Sequence, residues 1–166
     1  MEKDKPAYAT LWELIKDIRV AMVTHHGANG QMHAHPLTTQ NKAFDERAEL
    51  YYFISSQSEL HERLQVDSEV SVAYADPSAD RYVVISGTAR FSNDLAKKQA
   101  LWSLMAKAWF PEGASDPTLA LLVVDVEHAE YWDMKESKVM QLLKMAKAAA
   151  TDTPPKKLGE HRKLDL

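Results

Sequence analysis

The chain contains no cysteine, which excludes disulfides, thiolate nucleophiles and cysteine metal sites together. Glycine is scarce, at five in 166 residues, and no glycine-rich phosphate-binding loop can be assembled from them. No apolar run reaches the roughly 20 residues that a membrane span requires. The opening segment, Met1-Glu2-Lys3-Asp4-Lys5-Pro6, is charged, and no signal-peptide core follows it. Neither sign of charge dominates: 24 acidic and 20 basic residues leave a formal charge of -4. That field favours neither nucleic acid nor an acidic membrane surface. The expectation is a soluble cytoplasmic protein of bacterial type, with no nucleic-acid or membrane partner.

What is present is enough chain for one sizeable core. Residues 82 to 91 alternate Val83, Ile85, Ala89 and Phe91 with Tyr82, Val84, Ser86, Thr88 and Arg90, the period-2 pattern of a strand with one buried face. Gly87 in its middle predicts a bulge or bend. Further strands are predicted over Val20 to His26, Gln31 to Gln40, Leu50 to Ser55 and Val70 to Ala75, with Gly27-Ala28-Asn29-Gly30 turning the first into the second. Leu119 to Val126 is the most continuously apolar run and reads as a strand covered on both faces. Glu130 to Met134 reads as a separate last strand.

Leu11, Leu14, Ile15 and Ile18 mark a first amphipathic helix with Thr10 as N-cap. A short helix over Ser58 to Val66 is capped by Ser56 or Ser58. A third, capped by Asn93 or Asp94, runs to about Ala108 with the stripe Leu101, Leu104, Met105 and Ala108. Six or seven strands interrupted by such helices predict a mostly β (α+β) Greek-key barrel with peripheral helices. The domain is placed at residues 1 to 143. Residues 144 to 166, rich in Lys and Ala and carrying Pro154-Pro155, are expected to form a tail that is mobile or packs on a partner.

Three segments matter together: His33-Ala34-His35-Pro36-Leu37-Thr38-Thr39-Gln40, Leu50-Tyr51-Tyr52-Phe53-Ile54-Ser55-Ser56-Gln57-Ser58, and Lys107-Ala108-Trp109-Phe110-Pro111-Glu112-Gly113. Their order and spacing resemble the general stress protein branch of the pyridoxamine 5'-phosphate oxidase-like, FMN-binding split-barrel family. Tyr74-Ala75-Asp76-Pro77, Ser86-Gly87-Thr88-Ala89 and Ala129-Glu130-Tyr131-Trp132-Asp133 extend the likeness over residues 8 to 134. The resemblance implies a homodimer of split barrels with a flavin in the groove between subunits, FMN first and FAD as the alternative. It implies that Pro36, Leu37 and Thr38 meet the isoalloxazine edge. Ser55 and Ser58 would face the phosphate, Trp109 with Phe110 would come from the partner to flank the ring, and His35, Phe53, Ile54 and Leu60 count among the cofactor-binding positions. Many members have Arg at the position of His35, Lys at that of Leu60 and Thr at that of Ile54. Two cations and a hydroxyl expected near the phosphate are therefore absent, although His35, His61 or Arg63 could replace them.

Bland readings stand beside these. Trp109-Phe110 before Pro111 also reads as a helix-end apolar plug, and Ser55, Ser56 and Ser58 as an ordinary helix cap. Tyr131-Trp132 reads as core or dimer packing, and Lys97-Lys98 as a solvated face. If the Gly27 to Gly30 turn sets His26 opposite Gln31, then His26, His33 and His35 share a face. No carboxylate on that hairpin completes a ligand set, and no metal site is assigned. No residue is assigned as catalytic. The reading is an FMN-binding general stress protein that acts as a flavin oxidoreductase, or alternatively a flavin carrier or sensor without turnover.

Overall fold

The computed structural model describes residues 5–134, 138–154 and 159–166. The elements in chain order are α1 (Ala7–Ile15), β1 (Val20–His26), β2 (Met32–Thr38), β3 (Glu49–Ser55), α2 (Glu59–Val66), β4 (Glu69–Asp76), β5 (Arg81–Ser92), α3 (Leu95–Leu101), β6 (Leu119–Asp133), α4 (Lys138–Thr151) and β7 (Glu160–Asp165). The seven strands form one antiparallel sheet in the order β2-β1-β4-β5-β6-β3, with β7 beside β6. The two ends of this order meet at a single bridge, Thr39 to Tyr52. The curled sheet is thus a split β-barrel, and the connection from β3 back to β4 through α2 is the long return of a Greek key.

Burial follows the period-2 pattern. Ala21, Val23 and His25 of β1, Val72 and Tyr74 of β4, Val83 and Ile85 of β5, and Leu50, Tyr52 and Ile54 of β3 point into the barrel. Leu11, Leu14 and Ile15 of α1 pack into this same core. Inside it, Thr39 Oγ1 and Tyr52 OH each lie 2.7 Å from Tyr74 OH, so three buried hydroxyls satisfy one another beside the closing bridge. β6 is covered on both faces as expected: Ala120, Leu122 and Val124 face the barrel, while Leu121 and Val123 lie with Leu101 of α3 and Tyr51 in a second, outer cluster.

Gly87 is where the pairing of β5 with β6 slips: Ser86 opposes His128, Gly87 opposes Val126, and Glu127 is the extra residue. A Cβ on Gly87 would come within 2.4 Å of the Asp125 carbonyl oxygen, so only glycine lets the strands approach this closely.

Five expectations need correcting. Thr10 does not cap α1; Pro6 occupies that position, and the Thr10 N–H already donates to the Pro6 carbonyl at 3.0 Å. α3 ends at Leu101 instead of running to Ala108. Leu101 is buried, but Leu104 and Met105 are 84% and 80% exposed, so the helical spacing beyond Leu101 had no core to pack on. The two last strands are one strand, because the polar residues around Glu127 mark a bulge and not a break. The hairpin register places His26 opposite Met32 and His25 opposite His33, one residue from the assumed pairing.

The fifth concerns the segment expected to be a tail. It contains most of α4 and all of β7, while residues 155–158 lie outside the described ones. β3 leaves the edge of β6 at Asp125, and β7 takes that edge from His128 onward. Leu164 packs on the core, Glu160 accepts a hydrogen bond from Tyr131 OH at 2.8 Å, and His161 stacks on Trp132. From Glu160 onward only Leu164 and Leu166 are apolar, too little to read as a strand.

Candidate functional site

The backbone of β2 is the first element of the site. Thr39 N–H donates to the Arg19 carbonyl at 2.8 Å, so by strand alternation the odd-numbered residues of β2 bond to β1. Ala34, Pro36 and Thr38 turn their backbone groups to the free edge. Pro36 has no N–H to leave unpaired there, which is why a proline is tolerated. Its side chain and those of Ala34 and Thr38 are exposed, whereas His35 and Leu37 are half-buried.

Pro36 also begins a strip that crosses the outer face of the sheet. It stands opposite Met22, Met22 opposite Ala73, and Ala73 opposite Val84. Met22 and Val84 remain 42% and 38% exposed. Beside them lie exposed Val20 and, one pair along, Tyr82 next to Trp132. An outer face this apolar is unusual for an antiparallel sheet in water.

The second element is the start of α2. Ser58 is the N-cap: its Oγ accepts the His61 N–H at 3.2 Å and donates to the Ser55 carbonyl at 2.7 Å. Ser55 Oγ accepts the Gln57 N–H. The Glu62 N–H bonds to the Ser58 carbonyl, which leaves the N–H groups of Glu59 and Leu60 as the free donors of the first turn. Such donors suit an anion. Glu59, however, puts a carboxylate at the same turn.

His35 joins the two elements. Burial, then the imidazoles of His25 and His33, hold its pKa below the ordinary 6.5, while Glu59 pulls the other way. His35 Nε2 lies 3.0 Å from Nε2 of His25, whose Nδ1 faces the His26 carbonyl at 3.1 Å. A carbonyl can only accept, so His25 carries its proton on Nδ1 and receives the His35 Nε2–H on the other nitrogen. His25, 1% exposed, is the residue the sequence reading missed. With the turn one residue longer, it replaces His26 in the face shared with His33 and His35.

The remaining expected residues divide. Ile54 and Leu60 are core residues, 5% and 3% exposed, so neither offers an atom to a ligand in this conformation. Phe53 is half-buried on the outer face, 5.9 Å from the Trp102 ring. His61 packs on Phe91 with the rings tilted by 44° and bonds to Gln65, and Arg63 turns to the His26 carbonyl. Neither is directed at the α2 N-terminus. Phe110 is buried at 7% exposure, nine residues beyond the end of α3, whereas Trp109 beside it is 82% exposed. Among the described residues, no hydrogen bond or ring contact joins Trp109 to β2 or α2.

A cavity of about 210 Å³ opens elsewhere, near α3, lined by Lys42, Asp45, Arg47, Glu49, Tyr51 and Lys97. None of the expected cofactor residues lines it. Burial, then a hydrogen bond to Glu49, raises the Tyr51 phenol's pKa, and Lys97 lies over its ring. Its carboxylates are taken up by internal pairs, Asp45 with Arg47 and Glu49 with Arg90. Among the described residues no helix is long and apolar enough to cross a membrane.

Comparison with known proteins agrees with this architecture. The general stress FMN/FAD binding protein of Xanthomonas citri is 32% identical, with a TM-score of 0.68 over 80% of this chain and 91% of that one. A protein from Jannaschia sp. CCS1 described as a candidate general stress protein 26 superposes with a TM-score of 0.74 at 24% identity, over 95% of this chain and 99% of that one. A protein from Clostridium acetobutylicum related to general stress protein 26 gives 0.66 at 20% identity, over 77% and 89%. The last two likenesses are of fold. No curated protein sequence matches the chain. The sequence profile described as pyridoxamine 5'-phosphate oxidase like matches residues 6–156, and with the split barrel in place the chain belongs to that family.

Proposed function

We propose that the chain binds a flavin, FMN before FAD, in two equivalent grooves of a homodimer, and serves as a cytoplasmic general stress protein. The observation that carries this reading is the apolar strip Pro36, Met22, Ala73, Val84. It is a surface that calls for cover, and it ends on the very strand edge expected to meet the isoalloxazine. A second copy covering the strip forms a groove against β2. The Xanthomonas citri relative, an FMN/FAD binding protein, supports the choice of ligand.

The residues fit the flavin unevenly. At the free edge, the Pro36 carbonyl and Thr38 N–H present an acceptor and a donor, the pattern a flavin pyrimidine edge can pair with. Exposed Trp109, delivered by the partner, supplies an aromatic wall. At the phosphate end, the Ser55 hydroxyl and two helix N–H groups would donate, while the Ser58 hydroxyl proton is held by the Ser55 carbonyl and Glu59 opposes an anion. A phosphate monoester carries about -1.5 to -2 charges. When bound, the flavin supplies two-electron chemistry, while the chain holds and orients it.

A second reading, which Glu59 at the first turn of α2 fits equally well, is a flavin carrier or sensor without turnover. Both readings are tested by titrating flavin-free protein with FMN, riboflavin and FAD, with sedimentation of the same samples. Micromolar FMN binding to a dimer, tighter than riboflavin, is expected. A monomer that binds none of the three would overturn both. Reduction of the bound flavin by NAD(P)H, followed by reoxidation, separates the oxidoreductase from the carrier.

A further inference from the structure

We propose that His26, Asp67 and Glu69 form a binding site for a divalent first-row metal ion, zinc first, on the outer face of the barrel. Donor atoms of the three side chains all lie within 4.8 Å of one another, and His26 Nδ1 is 3.1 Å from Asp67 Oδ2. Zinc bonds of about 2.0 to 2.2 Å to nitrogen and oxygen put neighbouring tetrahedral ligands roughly 3.4 Å apart. The observed pair needs to open by only a few tenths of an ångström.

The three donors come from separately anchored places. His26 ends β1, its position set by pairing with Met32, and its carbonyl is approached by His25 Nδ1 and Arg63 Nε. Asp67 is the C-cap of α2, with its N–H on the Arg63 carbonyl at 2.9 Å. Glu69 begins β4, and its N–H holds Asp67 Oδ1 at 3.1 Å, leaving Oδ2 toward His26. β1 and β4 run side by side with Thr24 opposite Ser71, and two further steps along each strand bring His26 to Glu69. The hairpin has no carboxylate of its own; β4 supplies Glu69 and the end of α2 supplies Asp67.

Two carboxylates and a neutral imidazole carry the charge a dication balances. One borderline nitrogen with hard oxygens suits zinc or manganese better than copper(I), which prefers sulfur, or magnesium, which prefers an all-oxygen octahedron. His26 and Asp67 side chains are 42% and 36% exposed, so water completes the coordination and the ion exchanges with solvent. Among the described residues neither carboxylate is paired to a lysine or arginine. The ion would take the place of the proton between Nδ1 and Oδ2. It would tie the β1 hairpin to the corner between α2 and β4.

The test is calorimetric titration of tag-free, EDTA-treated and dialysed full chain with zinc chloride. One ion per chain with a micromolar or tighter Kd is expected, and a melting midpoint raised by roughly 5 to 10 °C at a hundredfold excess over Kd. His26→Ala and Asp67→Asn should each weaken binding at least fivefold. His161→Ala, which removes another imidazole facing a carboxylate, should leave it unchanged. Binding weaker than 0.1 mM, or a loss below fivefold in both variants, overturns the site. Should His26→Ala not fold, Asp67→Asn and the exposed Glu69→Gln carry the same test.

Discussion

Trp109→Ala separates the two readings of this residue most sharply. A tryptophan can bury up to about 250 Å². At 82% exposure, about 200 Å² of that remains for a partner or ligand to cover. At about 25 cal/mol per Å² the ceiling is about 5 kcal/mol per site. Ordering the ring costs about 0.5 to 1.5 kcal/mol, and cover over a cofactor is partial, so about 1 to 3 kcal/mol should be lost on truncation. That is a weakening of FMN binding by roughly 5- to 150-fold. Phe110→Ala is the contrast. Its 7% exposure predicts a loss of about 3 to 5 kcal/mol of folding stability. The assays are flavin fluorescence titration and sedimentation equilibrium on both variants. If Trp109→Ala leaves the FMN affinity and the dimer constant at wild-type values, the reasoning from exposure to interface is refuted.

Four other substitutions are predicted from the geometry. Gly87→Ala should cost about 2 to 4 kcal/mol, because its Cβ meets backbone that cannot move without breaking the β5–β6 ladder; a chemical-denaturation midpoint equal to wild type would contradict the contact. Tyr74→Phe should destabilise by about 2 to 3 kcal/mol and Tyr52→Phe by about 1, since Tyr74 bonds both other hydroxyls and Tyr52 ends the chain. Equal losses would mean the trio is not ordered as described. The depressed pKa of His35 means that the unfolded chain takes up a proton first as acid is added. Its contribution to stability is therefore present above pH 6.5 and lost as pH falls through the folded value. His35→Gln, which keeps a donor for His25, should flatten the dependence of the melting midpoint between pH 8 and 5. A constant gap between variant and wild type across that range would remove His35 as a cause.

Most of the barrel was legible because its strands obey a period of two and its glycines sit where the chain must turn or slip. Tyr82 to Phe91 became β5, and Gly87 between them marks where its pairing with β6 slips. Errors fell where periodicity lacked tertiary support. Leu104 and Met105 continue a helical stripe, yet no core lies under them, and the helix stops. Residues 160 to 165 have almost no pattern of their own, yet an unfilled edge on β6 recruits them. The histidine face was misread by one turn residue, and because side chains alternate, one residue exchanges His26 for His25. At the candidate site, Ser58 was legible as the cap of α2. The burial of Leu60 and the outward turn of Trp109 were not, because both depend on which side of a helix or turn meets the barrel.

The closing bridge between Thr39 and Tyr52 also sets how the barrel breathes. Around it, the Gln40 N–H meets the Tyr51 carbonyl and the Tyr51 N–H meets Asn41 Oδ1, each at 2.8 Å. β2 contributes no fully buried side chain, so opening this line leaves the ladder of β1, β4, β5 and β6 intact. Amide hydrogens at Gln40 and Tyr51 should therefore sample local opening well below the free energy of global unfolding. Pro36 and Thr38 lie on the same loose edge, and anything that bridges that edge to α2 fastens the cuff. On the proposed flavin reading, occupancy of that edge and barrel closure would be one equilibrium.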